Sequence, residues 1–249
     1  MKLDTKIAAV SVTTIFVGWL ALAFAADETP IAQRIVDMKR QADVLAHATQ
    51  RLSDEKRVEK LQRSFGYYLD KKMWDQVADL FADDATFELG LSGVYVGKEH
   101  IRHSLDRFGP QGLKDGELFN HMQLQPIVDV SDDGLTAKAR WRGFNQAGVY
   151  GQRAVWGEGI YENEYVKQDG VWKIRSLHYY NSFTTPYEKG WAKQVLPAAR
   201  ATQRGFEPDR PPSMTYEAFP KYFVPPFHFS NPVTGKAPQI GSAAAEIQR

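Results

Sequence analysis

The chain has 249 residues, no cysteine, 43% hydrophobic residues and a formal net charge of +1. This composition is globular and excludes wholesale disorder, and the near-neutral charge argues against a dedicated nucleic-acid binder, which needs a basic surface to replace phosphate counterions. The lack of cysteine excludes disulfides, thiolate metal sites, cysteine nucleophiles and a lipoprotein anchor.

Residues 1–25 have the pattern of a secretory signal. Lys2 and Lys6 precede an uncharged run over residues 7–25, which ends in the small-residue motif Ala23-Phe24-Ala25. A basic start, an apolar stretch and small residues before the cleavage point are typical of such signals. We therefore expect an exported protein, periplasmic or secreted. The run is nearly long enough to span a membrane, so an uncleaved N-terminal anchor is the alternative.

Helical periodicity dominates the next part of the chain. Residues 26–52 are expected to form a helical extension, because apolar residues recur there every three or four positions. A separate helix is predicted to begin at Ser53, where two acidic residues follow a capping residue, and to end near Lys71. Two shorter helices are predicted over Trp74–Phe81 and Gly97–Phe108, the first of them ended by Asp83 and Asp84.

Strand patterns follow these helices. Two short strands are predicted over Ala85–Leu89 and Gly93–Val96. From residue 118 onward apolar residues alternate with polar ones, and glycine-containing turns separate four longer segments. These are Leu118–Val130, Thr136–Gln146, Ala154–Lys167 and Val171–Ser182. Helices followed by consecutive hairpins indicate an α+β domain with a mostly antiparallel sheet, which we place at residues 53–187.

Residues 188–249 are predicted to lack regular structure over most of their length. A helix within Tyr187–Arg204 is possible on the residue pattern, but prolines and aromatic residues alternate over residues 219–229. Prolines forbid regular structure in this second segment, and its aromatic residues are too many for a free tail. We expect it to be an ordered strap, laid over the domain or across a subunit interface, followed by a mobile tail.

Two side chains stand out as candidates for chemistry. His121 lies early in the first long strand, on a face that it shares with Phe119, Gln123 and Gln125. A half-polar face of this kind fits the wall of a cavity, although a structural histidine is the alternative. Asp70 ends an apolar helix face, where a carboxylate needs a partner or loses solvation free energy, unless it is simply exposed at the helix end.

Several motifs together resemble the SnoaL-like group of the nuclear transport factor 2-like superfamily. They are Tyr68-Leu69-Asp70-Lys71-Lys72-Met73-Trp74, the strand Ala85–Leu89, the Tyr95-x-Gly97 turn and the late Asp169-Gly170-Val171-Trp172-Lys173-Ile174. The resemblance covers residues 53–187. It implies a cone-shaped α+β barrel, in which a strongly curved, mostly antiparallel sheet is closed by three helices around a deep pocket.

Within that group the chain is most similar to the scytalone dehydratase and hexachlorocyclohexane dehydrochlorinase branch. The resemblance implies that Asp70 orients His121 and that His121 acts as general base. A neutral imidazole is a competent base near neutral pH, and a carboxylate on its other nitrogen fixes the tautomer. No metal or other cofactor is implied, and the expected partners are a hydrophobic small molecule and further copies of the chain in a dimer or trimer.

The sequence also departs from that branch. Its asparagine on a later strand corresponds to Tyr161 here, the second histidine has no counterpart, and the dehydrochlorinase arginine corresponds to Leu177. Tyr161 is our candidate proton or hydrogen-bond donor, with packing as the alternative. The other candidates for substrate contact are Tyr68, Tyr95, Trp141, Asn145, Trp156, Leu177, Tyr179 and Asn181.

These residues predict a cofactor-independent lyase that eliminates water or another small leaving group from a hydrophobic aromatic or alicyclic compound. A formaldehyde-releasing carbon–carbon lyase acting on lignin-derived diaryl compounds is the first alternative. A non-catalytic ligand-binding or oligomerisation module is the second, since this fold often serves as an assembly platform.

Overall fold

The computed structural model describes residues 30–198, 200 and 204–239. The predicted signal over residues 1–25 lies outside them. The chain divides after Gln50 into two units, the first of which is helical from Ile31 onward. No described helix combines the length and apolar character that crossing a membrane would require.

Three α-helices and six strands make up the regular structure of the described residues. The helices are α1 (Ile31–Asp70), α2 (Trp74–Asp79) and α3 (Lys98–Leu105), and a 3₁₀ turn follows at Asp106–Phe108. The strands are β1 (Phe81–Leu89), β2 (Val94–Val96), β3 (Glu117–Val130), β4 (Thr136–Val149), β5 (Arg153–Gln168) and β6 (Val171–Pro186).

The six strands form one sheet in the order β2-β1-β6-β5-β4-β3. All neighbouring strands are antiparallel except β1 and β6, which run parallel. The predicted α+β class, three helices and mostly antiparallel sheet are confirmed. The sheet does not close into a barrel of strands, however, because β2 and β3 remain as its two edges.

The predicted break between two N-terminal helices is wrong, since α1 continues through Ser53 to Asp70. Asp54, expected in a first helical turn, is instead buried and holds the helix against the sheet. Its carboxylate accepts a hydrogen bond from Trp172 Nε1 at 2.8 Å and pairs with Lys167 Nζ at 2.7 Å. The acidic residue therefore marks a tertiary anchor, and no helix-breaking residue interrupts the chain at this point.

Other boundaries also differ from the prediction. Strand β1 begins at Phe81, so Asp83 and Asp84 lie within a strand rather than at a helix end. The considered helix over Tyr187–Arg204 is not present in its described residues, which form turns and isolated bridges. Backbone hydrogen bonds to β6 explain this outcome, because Leu196 N–H donates to Thr184 O at 2.7 Å.

The core lies between the sheet and the helices. Its largest fully buried side chains include Phe65 of α1, Trp74 of α2, Phe81 of β1 and Trp141 of β4. A polar network crosses this core, since Gln62 of α1 bonds Asn163 Nδ2 and Tyr165 Oη at 3.0 and 2.9 Å. These partners satisfy polar groups that would otherwise be costly to bury.

The strap, residues 219–229, belongs to the second unit and packs on its sheet through aromatic side chains. Phe223 stacks on Tyr216, with ring centroids 4.4 Å apart, and also contacts Tyr180 of β6. Farther along, His228 Nδ1 lies 2.7 Å from a carboxylate oxygen of Glu162, and Arg140 lies over the ring of Phe227 at 4.1 Å. The strap thus contacts side chains of β4, β5 and β6.

Candidate active site

A cavity of about 760 Å³ lies in the second unit. Its wall combines the end of α1, the turn after α3, the first halves of β3 and β5, the later halves of β4 and β6, and residues 200 and 206. Apolar and aromatic side chains alternate in it with a few polar groups, the composition typical of small-molecule sites. Seven predicted site residues line it: Tyr95, His121, Asn145, Trp156, Tyr161, Tyr179 and Asn181.

Four predicted residues do not line this cavity. Trp141 and Leu177 are fully buried in the core, and Trp141 Nε1 is 3.2 Å from the hydroxyl oxygen of Tyr165. Tyr68 is partly buried and packs against the core. Asp70 lies beside the cavity wall rather than in it, because its carboxylate reaches the backbone of His121.

Asp70 and His121 are brought together by the packing of α1 on β3. The backbone N–H of His121 donates a hydrogen bond to Asp70 Oδ1 at 2.6 Å. One helical turn earlier, Gly66 permits the approach, because a Cβ there would lie 2.8 Å from Gln123 Cγ and 3.1 Å from His121 O. Residues four apart share a helix face, so Gly66 sets the distance at which Asp70 meets the strand.

The hydrogen bond of Asp70 goes to the amide of His121 and not to its imidazole. Among the described residues, neither ring nitrogen of His121 has a hydrogen-bond partner, and Nδ1 is fully buried. Burial lowers the pKa of His121 to about 4, so the ring is neutral at pH 7. Burial also raises the pKa of Asp70, and the hydrogen bond from His121 offsets part of that rise. The site therefore holds a neutral imidazole next to a half-buried carboxyl group.

Two tyrosines, Tyr161 and Tyr179, line the cavity together with His121. Tyr161 of β5 and Tyr179 of β6 are register partners, and their ring centroids are 4.7 Å apart. Burial raises the pKa of both phenols, and the nearby charge of Asp70 adds to the rise at Tyr161. Both hydroxyls therefore stay protonated at neutral pH and can donate a hydrogen bond.

A pair of glycines makes room for these rings. Gly143 of β4 and Gly159 of β5 lie opposite each other in the sheet. A Cβ at Gly159 would lie 2.3 Å from Tyr179 Cζ and equally close to the backbone oxygen of Tyr180. A Cβ at Gly143 would lie 2.8 Å from an edge carbon of Tyr161. The sheet can therefore carry two large rings flat against its surface at this point.

An amide group completes this part of the wall. Asn145 lies directly opposite His121 in the pairing of β3 with β4, so both side chains project from the same face of the sheet. Its Nδ2 donates to the hydroxyl oxygen of Tyr179, while its Oδ1 is buried with no hydrogen-bond partner among the described residues. Asn145, His121 and Tyr179 thus form a cluster with unused hydrogen-bonding capacity.

The charged residues of the cavity were not among the predicted site residues. Lys72 and Glu117 form an ion pair at 2.9 Å, with Lys72 buried and 5.7 Å from the centre of the Phe119 ring. Arg107 lies between the rings of Tyr95 and Phe108, at 4.8 Å from each centre. Nothing in the local sequence separates Arg107 from an ordinary exposed helix-end arginine, so only the fold reveals it.

In the described part of the chain, no three histidine, aspartate or glutamate side chains lie close enough together to hold a metal ion. His100 and His103 share a helix face, but His100 Nδ1 is 2.7 Å from Asp209 and His103 stacks on Phe206. Both rings therefore contact residues outside the helix.

Comparison with solved structures identifies proteins of the same fold. A scytalone dehydratase-like protein from Novosphingobium aromaticivorans matches with a TM-score of 0.50 and 21% identity, over 63% of this chain and 98% of its own. A hexachlorocyclohexane dehydrochlorinase from Novosphingobium barchaimii matches with a TM-score of 0.48 and 22% identity, over 56% of this chain and 93% of its own. No curated protein matches the sequence.

The family model of the SnoaL-like domain matches residues 50–178. This range contains α1 from its second half onward, both shorter helices, five complete strands and the first half of β6. It also contains Asp70, His121 and Tyr161. The chain belongs to the SnoaL-like domain family, as its sequence motifs had predicted.

Proposed function

We propose that the protein is a cofactor-independent lyase that eliminates a small leaving group from a hydrophobic aromatic or alicyclic molecule. The observation that carries the proposal is the environment of His121, a neutral imidazole in the wall of a large cavity with neither ring nitrogen hydrogen-bonded to a described residue. An unpaired imidazole nitrogen facing bound substrate is what a general base requires. The family and the names of its structural relatives are consistent with this chemistry.

In the proposed step, an imidazole nitrogen of His121 takes a proton from a carbon next to an electron-withdrawing group. The electron pair of that C–H bond forms the new C=C bond, and the bond to the leaving group breaks with its electrons. Tyr161 or Tyr179 donates a hydrogen bond to the departing oxygen, since both phenols are protonated. A positioned base contributes about 10²–10⁴-fold to such a reaction.

Asp70 acts in this proposal as a positioning residue. Its hydrogen bond to the His121 amide fixes the strand that carries the base, and we assign to its negative charge the stabilisation of the imidazolium that forms. For the formaldehyde-releasing alternative, the same base would take the proton of a terminal hydroxyl group, and the electron pair of that O–H bond would form the C=O bond of formaldehyde. The electron pair of the broken carbon–carbon bond would pass to the adjacent electron-withdrawing group, and the imidazolium would return the proton to that carbon. Both reactions use one base and one hydrogen-bond donor.

One observation favours a second function, non-catalytic ligand binding. The carboxylate of Asp70 is not hydrogen-bonded to the imidazole, and burial without a charged partner lowers the pKa of His121 well below that of an ordinary base. A ligand-binding protein would need the cavity but not a basic histidine. Turnover measurements therefore have to decide between the two.

The test is a screen of the purified protein against lignin-derived diaryl compounds and hydroxylated polycyclic phenols, read by mass spectrometry. Loss of the mass of water indicates dehydration, and loss of the mass of formaldehyde indicates carbon–carbon cleavage. We expect the His121→Gln variant to lose turnover at least about 100-fold, while the exposed control His47→Gln retains it. Full turnover by His121→Gln would refute the mechanism, and binding without turnover by the native protein would favour the second function.

A further inference from the structure

Arg107 places a positive charge in the cavity wall and has no acidic partner among the described residues. The side chain follows α3 in the 3₁₀ turn, is only partly exposed and lies in the cavity wall. Its Nη1 donates to the hydroxyl oxygen of Tyr95 at 2.6 Å, and that hydroxyl donates to Phe206 O at 2.7 Å. Nε and Nη2 have no hydrogen-bond partner among the described residues. The recorded contacts of this guanidinium are thus the hydroxyl and ring of Tyr95 and the ring of Phe108, none of which is an acidic group.

A charge in this position is costly unless something compensates it. Burial lowers the pKa of Arg107 below its ordinary value, and the opposing contributions come only from Tyr95. Glu117, which is the one acidic residue among the described residues of the wall, is already paired with Lys72 at 2.9 Å. The cavity thus has an uncompensated cation in its described wall.

Two further arginines increase the positive charge around the cavity. Arg153, at the start of β5, and Arg200 both line it and are exposed, and neither forms an ion pair with a described residue. Because exposed charges are screened by water and salt, they attract an anion toward the site more than they hold it. The less exposed Arg107 is the residue whose remaining N–H groups can bind an anion firmly.

The position of Arg107 relative to His121 is defined by a row of aromatic contacts. Arg107 lies on the ring of Phe108, Phe108 is 5.8 Å from Phe119, and Phe119 is 4.3 Å from the ring of His121. A ligand that lies along these rings would reach from the guanidinium to the imidazole. Its apolar middle would contact the phenylalanines, while its charged end remained separate from its reacting carbon.

We propose that the cavity binds a carboxylate-bearing aromatic molecule, with the carboxylate on Arg107 and the apolar body along Phe108 and Phe119 toward His121. A planar guanidinium with several free N–H groups matches a carboxylate in shape as well as in charge. This inference names the substrate class of the proposed lyase. Calling the bound molecule a substrate rests on that proposed function. Binding itself does not depend on turnover.

The test compares two probes of equal shape, biphenyl-4-carboxylate and biphenyl-4-carboxamide, by isothermal titration calorimetry on the full chain. We expect the native protein to bind the carboxylate at least about tenfold more tightly than the amide, the margin of one charge-assisted hydrogen bond. Arg107→Gln should abolish this preference while leaving amide affinity within about twofold. Arg107→Met, which keeps an unbranched apolar side chain but removes the charge and every N–H donor, should do the same.

The control is Arg175→Gln, which removes an exposed arginine of β6 that does not line the cavity and should leave the preference unchanged. Equal binding of the two probes by the native protein would overturn the proposal. So would a preference that survives Arg107→Gln and Arg107→Met but disappears in Arg153→Gln, because the anion would then bind at the exposed edge of the cavity.

The same measurements separate this inference from the proposed lyase function. His121→Gln should lose turnover but keep the preference for the carboxylate. Loss of turnover in that variant without any carboxylate preference in the native protein would leave the lyase standing and reject the anion site. A preference that depends on Arg107, in a protein that turns over no compound of the screen, would support the anion site and reject the lyase.

Discussion

Asp70 accepts a hydrogen bond from the backbone N–H of His121, and this single bond connects the end of a 40-residue helix to the first long strand. The contact orders the histidine without engaging its ring. A carboxylate used in this way fixes where the imidazole is, while its charge remains available to respond if the imidazole gains a proton. These two effects of Asp70 can be separated by substitution.

Asp70→Asn keeps an oxygen that can accept from the His121 amide but removes the charge, whereas Asp70→Ala removes both. We expect Asp70→Ala to lower the free energy of unfolding by about 1–2 kcal/mol, because a buried amide loses its partner. Asp70→Asn should stay within about 0.5 kcal/mol of the native protein and still lose most turnover. Urea denaturation and turnover assays check both variants, and an active Asp70→Asn would show that the charge is not needed.

The pH dependence of turnover follows from the burial of His121. Since the pKa of this histidine in the free protein is about 4, kcat/KM should stay level from pH 8 to about pH 5 and fall only below that. An unperturbed histidine would give a fall near pH 6.5. A steady-state profile on the identified substrate distinguishes the two, and a midpoint near 6.5 would mean that the charge of Asp70 compensates the burial of the ring.

The same burial predicts how stability depends on pH. In the unfolded chain His121 takes up a proton below about pH 6.5, but in the folded protein it does so only near pH 4. Stability is therefore lost as pH falls through this window, by up to about 3 kcal/mol at pH 4. Asp70 has the opposite effect on stability, because its pKa is raised in the folded protein and stability therefore increases as the pH falls. This effect is present in native protein and in His121→Gln alike. Urea titrations of native protein and His121→Gln should diverge below pH 6.5, and parallel curves would contradict the assignment.

The paired glycines under the tyrosines predict unequal effects of alanine. Gly159→Ala brings a methyl group against a backbone oxygen that cannot move, so we expect a loss of roughly 2–3 kcal/mol of stability and a displaced Tyr179. Gly143→Ala meets only the edges of two rings, which can tilt, and should cost about 1 kcal/mol. Thermal denaturation of the two variants measures the difference, and equal losses would disprove this account of the close approach.

The strap depends on a buried charge cluster. Glu162 of β5 contacts both His228 and Arg140, and all three side chains are nearly buried. We expect Glu162→Gln to lower stability by roughly 3 kcal/mol and to speed chymotryptic cleavage within residues 219–229, because the guanidinium of Arg140 loses its ionic partner and the ring of His228 loses a carboxylate hydrogen-bond partner. The control is Glu164→Gln. Glu164 lies on β5, as Glu162 does, and forms an exposed ion pair with Lys138 of β4. Unchanged cleavage in Glu162→Gln would mean that aromatic packing alone holds the strap.

The local sequence determined the elements and the family of this protein. Period-two alternation and glycine turns located the four long strands to within a few residues, since strand faces and turn conformations are fixed by neighbouring residues. The order of its motifs identified the SnoaL-like family. Asp54 was wrongly predicted to lie at the start of a helix. Its partners Lys167 and Trp172 lie more than 100 positions away in the chain, so the local sequence carries no sign of them.

Only the tertiary structure decided which side chains share the cavity. Trp141 and Leu177 have the right residue types for a pocket wall, yet the packing of the sheet buries them in the core. Asp70 has the position expected of an orienting carboxylate, yet the approach that Gly66 permits directs it to an amide. Arg107 gives no local signal, because the absence of a counter-charge is a property of everything that surrounds a side chain, and neighbours in space are set by the fold rather than by the adjacent sequence.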